Sequence, residues 1–103
     1  MITTNERGIM SNFYFDVKTL KRLWNKKEIL NFGNFLAEKM RSVHFYKNGW
    51  SKSSIEDFDD DYVSIKIECG LDEEGHSEKF YDYLNFDSKE DYFKEYDKHI
   101  SII

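Results

Sequence analysis

Ile29, Phe32, Leu36, Met40 and Val43 follow one another at intervals of three, four, four and three residues. That spacing draws one apolar stripe along four turns of an α-helix, widened by Phe35, and such a stripe has to be covered by another element. In "YVSIKIEC" the period changes: Val63, Ile65, Ile67 and Cys69 alternate with Tyr62, Ser64, Lys66 and Glu68. Period two with β-branched residues predicts a half-buried strand. A chain of 103 residues has space for one such core and no second one. The predicted class is therefore α+β, with helices packed on one face of a small antiparallel hairpin or three-stranded sheet.

The remaining elements are placed around these two. The long helix starts at "NKKE", where Asn25 caps and Glu28 lies three residues on, close to a capping box. It ends near "KNGW", since Asn48-Gly49 is a C-terminal left-handed signal. Gly33 within it costs about 1 kcal/mol against alanine and permits close packing. Before it, Asp16 is a plausible cap for a shorter helix carrying Val17, Leu20, Leu23 and Trp24 at helical spacing. "SEKFYDYLNF" alternates again, with Phe80, Leu84 and Phe86 opposite Tyr81 and Tyr83, and with Asp82 on the apolar side. "GLDEEGH" suits the connection between the two strands. A last helix begins at "DSKE", with Asp87 as cap, Glu90 returning to it, and Phe93, Tyr96 and Ile100 as its stripe. The expected order is α-α-β-β-α, with a short N-terminal strand possible in residues 9–15. Residues 1–9 are expected to form a flexible arm, with residues 10–103 as the single domain; Met10 is a second potential start.

The composition excludes several classes. Hydrophobic residues make up 40% and charged residues 34%, yet nine Phe, seven Tyr and two Trp supply enough area for a core. Cys69 is the only cysteine, which excludes an internal disulfide and suits a reducing compartment. No run reaches the roughly 20 apolar residues of a membrane span, and "MITTNERGIM" has no signal-like apolar stretch. The expectation is a soluble, cytoplasmic protein, with no membrane partner.

No catalytic signature is present. One cysteine and the scattered His44, His76 and His99 lack the paired spacing of a zinc site. Asp57, Asp59, Asp61 and Glu68 imitate a calcium loop, but its sixth position requires glycine and holds Tyr62. Cys69 sits in a strand with no histidine placed to activate it, and reads as a core residue. Neither a phosphate-binding glycine loop nor a dinucleotide fingerprint occurs. A non-enzyme without cofactor or metal is expected.

Charge is the informative property. Residues 1–52 carry ten Lys/Arg and four Asp/Glu, a balance of +6; residues 53–103 carry five and sixteen, a balance of −11, and together these give −5. "IEDFDDDY" concentrates Glu56, Asp57, Asp59, Asp60 and Asp61 around Phe58, and Asp72, Glu73 and Glu74 follow in the next connection. These residues, with Trp50 as an aromatic anchor, are the predicted partner-binding set. Duplex DNA carries about one negative charge per 1.7 Å, so carboxylates at comparable density suit the basic groove of a nucleic-acid enzyme. Solubility alone is the plainer explanation of the same acids. In the basic half, Lys18, Lys21, Arg22, Lys26 and Lys27 mark a possible nucleic-acid contact on a basic helix over residues 16–30. Oligomeric state is not readable from these features.

The stretch "FYKNGWSKSSIEDFDDDY" resembles small phage-encoded anti-CRISPR proteins, inhibitors of RNA-guided nucleases, in which a KNGW-like turn leads into an acidic, aromatic-rich segment. The identity covers Lys47 to Trp50. The resemblance implies a non-enzymatic inhibitor whose partner is a basic, nucleic-acid-binding protein, most readily a nuclease. The alternatives are the immunity partner of a bacterial nuclease toxin and a small nucleic-acid-binding regulator.

Overall fold

The computed structural model describes residues 17–45, 49–71 and 79–100. A single 3-10 turn, Val17–Thr19, leads through an extended segment into helix α1, Lys26–Phe45. Strands β1 (Trp50–Phe58), β2 (Val63–Gly70) and β3 (Lys79–Phe86) follow, and helix α2 (Lys89–Ile100) comes last. The strands form an antiparallel meander in the order β1-β2-β3, with both helices over one face. The α+β class and the three-stranded sheet agree with the sequence reading. No helix among the described residues is long and apolar enough to cross a membrane.

α1 starts where its cap predicts: the Glu28 amide donates to Asn25 Oδ1 at 2.9 Å. It packs over β1 and β2 through Ile29, Phe32, Phe35, Leu36 and Ala37, which meet Val63, Ile65 and Ile67 of β2. The closest approach is at Gly33, where a β-carbon would stand 2.9 Å from Ser53 Oγ and 3.1 Å from Ile65 Cγ2. The helix runs antiparallel to β1, because Ser53 Oγ lies 2.7 Å from Asn34 Oδ1 whereas Ser51 Oγ donates to Glu38 Oε1 at 3.0 Å. α2 lies beside α1 and closes the core with Tyr92 and Tyr96; the Tyr92 ring meets Phe32 and Phe86 edge-on. Gly49, with φ of +121°, makes the backbone turn just before β1 that only glycine adopts freely.

Five expectations are corrected. The first helix is absent: residues 17–24 hold one 3-10 turn, Leu20 docks in the core, and Arg22 is tied to α2. Among the described residues the element order is α-β-β-β-α, because Trp50–Phe58 is a strand that the sequence reading did not place. The stripe of α1 stops at Met40; Val43 is 78% exposed, while the Arg41 side chain turns inward and binds Glu38 Oε2 at 2.7 Å. α2 is capped by Ser88, whose Oγ accepts from the Asp91 amide at 3.1 Å, rather than by Asp87. Tyr92, missing from the predicted stripe of α2, is its most buried residue. The N-terminal arm, the possible strand at residues 9–15, the cap Asp16 and the tail after Ile100 lie outside the described residues.

Candidate functional site

The connection from β1 to β2 is short and built by its own acids. The Asp59 amide donates to the Tyr62 carbonyl at 2.9 Å, and Asp59 Oδ1 accepts the Asp61 amide at 3.1 Å, the local bond by which aspartate nucleates turns. Asp57 Oδ1 accepts the neighbouring Phe58 amide at 2.9 Å. Asp61 Oδ1 reaches across to the Lys89 amide at 3.0 Å, joining the turn to the first residue of α2. Such bonds to backbone N–H groups orient the carboxylates. Val63 pairs with Phe86, so the turn and the α2 N-terminus share one end of the sheet.

That end therefore carries Glu56, Asp57, Asp59, Asp60 and Asp61 together with Asp87, Glu90 and Asp91, all exposed. Among the described residues none of these eight carboxylates is in an ion pair. The nearby cations sit over rings instead: Lys26 Nζ is 5.9 Å from the Phe58 centroid and Lys89 Nζ 5.8 Å from that of Trp24. Elsewhere among the described residues Glu28 and Asp82 are also outside any ion pair, whereas four other acids are paired, Glu38 with Arg41 among them. Glu68 takes Lys52 at 3.8 Å and Lys79 at 3.6 Å, Glu95 takes Lys98 and His99, and Asp97 takes Arg22.

The predicted partner-binding residues do not all meet. Glu56 to Asp61 form the acidic end, with Phe58 half-buried against Trp24 at 5.4 Å and so part of the core edge. Trp50 opens the same strand eight residues earlier, about 26 Å away at ~3.3 Å per residue, with its indole laid on Gly70. Asp72, Glu73 and Glu74 lie outside the described residues; Leu71 and Lys79, which flank their connection, are at the Trp50 end.

The predicted nucleic-acid set is divided too. Lys26 and Lys27 begin α1, but Lys18, Lys21 and Arg22 precede it and share no helical face with them. Arg22 lies 4.6 Å over the Phe93 ring and donates to both Asp97 oxygens, at 2.9 and 3.0 Å. This pairing raises the guanidinium pKa and holds the Asp97 carboxyl below its ordinary range.

Cys69 is buried in the core, and burial pushes its thiol pKa up, which opposes nucleophilic use. Among the described residues no three His, Cys, Asp or Glu side chains group to hold a metal.

Sequence reasoning missed the face of the sheet that neither described helix covers. Pairing aligns four rows there: Trp50, Gly70 and Lys79; Lys52, Glu68 and Tyr81; Ser54, Lys66 and Tyr83; Asp57, Ser64 and Asn85. The outward half of each alternating run was the available signal, but it required β1 to be recognised as a strand. Searches for similar proteins return no matching family model, no matching curated protein and no matching solved structure.

Proposed function

We propose that the chain is a non-enzymatic inhibitor that presents its acidic end to the nucleic-acid-binding surface of a nuclease. A phage or mobile-element anti-defence role inside a bacterial cell is the setting that fits this activity. The supporting observation is the end where eight exposed carboxylates are in no ion pair among the described residues while backbone bonds hold the turn. Such a surface attracts a cationic cleft and speeds encounter by roughly 10- to 1,000-fold at low ionic strength. Once docked, its carboxylates replace phosphates at the lysines and arginines of that cleft, so nucleic acid is excluded by competition. Immunity against a nuclease toxin uses the same physics, and the class of nuclease bound separates the two. The regulator reading, through residues 16–30, has less support because Arg22 is already engaged by Asp97.

The test is the quadruple variant Asp57→Asn, Asp59→Asn, Asp60→Asn, Asp61→Asn against a panel of RNA-guided nucleases and nuclease toxins. Asparagine keeps the Oδ1 acceptors of the turn, so the fold should persist by circular dichroism. Inhibition by the native chain and its loss in the variant are expected. Equal inhibition by both proteins would reject the reading.

A further inference from the structure

The sheet face opposite the two helices has a different character from the acidic end. Tyr81 and Tyr83 are 58% and 49% exposed, although tyrosine rings ordinarily bury much of their area. They stand two residues apart on β3, ~6.7 Å along the strand, and meet edge-on with centroids 5.9 Å apart. Lys66 of the adjacent strand holds its ammonium 5.4 Å from one ring and 5.7 Å from the other, so the pair is braced rather than loose. Lys52 and Lys79 flank them with 66% and 54% of their side-chain surface exposed. The acid among them, Glu68, is buried and already bridges these two lysines. Around the two tyrosines three lysines stand against Glu68, and this cationic strip is bounded on one side by Asp57 on the next row and by Glu56, which accepts from Ser54 Oγ at 2.9 Å.

We propose that this face binds a short stretch of single-stranded nucleic acid. Bases stack on Tyr81 and Tyr83 and phosphates meet Lys52, Lys66 and Lys79. Base–aromatic stacking beside a cationic track is how sequence-tolerant single-strand sites are built, and flat sheets carry such rings well. A protein partner fits less well, because lysine is depleted from protein–protein interfaces while it suits phosphate. The footprint is bounded. Two rows of the sheet hold two or three nucleotides, and the next row presents Asp57, which repels a longer track. The inference is independent of the nuclease reading, since no carboxylate of the acidic end is a contact in it and Asp57 only limits the track.

The test is fluorescence anisotropy of labelled oligo-dT, oligo-U and a duplex with the full chain at low salt. Both single strands should bind more tightly than duplex, with oligo-dT against oligo-U separating DNA from RNA as the source. Tyr81→Ala should weaken binding roughly 5- to 150-fold, the range of stacking losses per base. The slope of log K against log salt should be about −2 and should shrink by about 0.7 in Lys66→Gln. The quadruple Asn variant of the acidic end should bind at least as well as the native chain. Absence of single-strand binding at low salt overturns the proposal, as does unchanged binding by Tyr81→Ala or Lys66→Gln with circular dichroism intact. Self-association lost in Tyr81→Ala without oligonucleotide binding overturns it in favour of a second copy of the chain.

Discussion

Tyr92→Phe should make this protein more stable. Tyr92 is fully buried, and its ring is enclosed by Trp24 at 5.6 Å, Phe32 at 5.5 Å, Phe86 at 5.6 Å and Phe93 at 5.0 Å. Its hydroxyl has no hydrogen-bond partner among the described residues. Burial pushes the phenol pKa well above its ordinary value, with the charges of Tyr96 and Glu28 adding to the effect. A hydroxyl desolvated without a compensating bond costs about 1–3 kcal/mol in proteins. Deleting the oxygen forfeits a few dispersion contacts at about 0.1–0.2 kcal/mol each, or roughly 0.5 kcal/mol in all. Helix propensities of Tyr and Phe are nearly equal, so the backbone is unaffected.

The balance favours phenylalanine by about 0.5–2.5 kcal/mol, and each kcal/mol shifts the Tm of a domain this size by about 4–8 °C. Urea unfolding at constant m-value, with calorimetry beside it, reads the change. Tyr92→Ala sets the scale for the ring itself and should cost about 3–5 kcal/mol, the range for buried aromatics. A loss of more than about 0.5 kcal/mol in Tyr92→Phe would refute the reasoning, because only a satisfied hydroxyl gives that sign.

Gly33→Ala should destabilise by about 1 kcal/mol: alanine gains about 1 kcal/mol of helix propensity, but overpacking against Ser53 and Ile65 costs about 1–3 kcal/mol, and urea unfolding decides the sign. Acid should loosen residues 17–24 through Asp97. Its folded pKa lies below the unfolded one, so the Arg22 contact stabilises fully above the ordinary carboxylate value and is lost as pH falls through the depressed one. Trp24 fluorescence should therefore hold constant near neutrality and change only in strong acid, and Asp97→Asn should remove that transition.

The elements that were legible are those whose buried positions are apolar. The stripe from Ile29 to Met40 and the alternation of Val63, Ile65 and Ile67 each carry their own period, and Asn25 marks a cap that local bonding alone explains. β1 was not legible because its inward positions are Ser51 and Ser53, whose hydroxyls bond to α1. A bulge between Ile55 and Asp57 then shifts its period by one residue. Residues 17–24 have helical spacing, but a segment of eight is too short to hold a helix in water. Tertiary contacts of Leu20, Trp24 and Arg22 set its course instead. The acids of the candidate site were visible as residues; that none of them is in an ion pair among the described residues was not, because pairing depends on strand register.

Register also explains why the charged halves of the sequence do not become charged halves of the molecule. α1 runs against β1, so Lys26 and Lys27 arrive at the same end as Asp59, Asp60 and Asp61. Proximity of opposite charge does not by itself neutralise that end. Glu68 has two strand neighbours, Lys52 in β1 and Tyr81 in β3, and Lys52 together with Lys79, two residues before Tyr81, closes on it from both sides. A turn acid has no cross-strand neighbour. Its oxygens are taken by amides of the turn or of α2, while Lys26 and Lys89 settle over Phe58 and Trp24. Position in the meander, more than the quantity of charge, leaves carboxylates available at one end and lysines beside tyrosines on the open face.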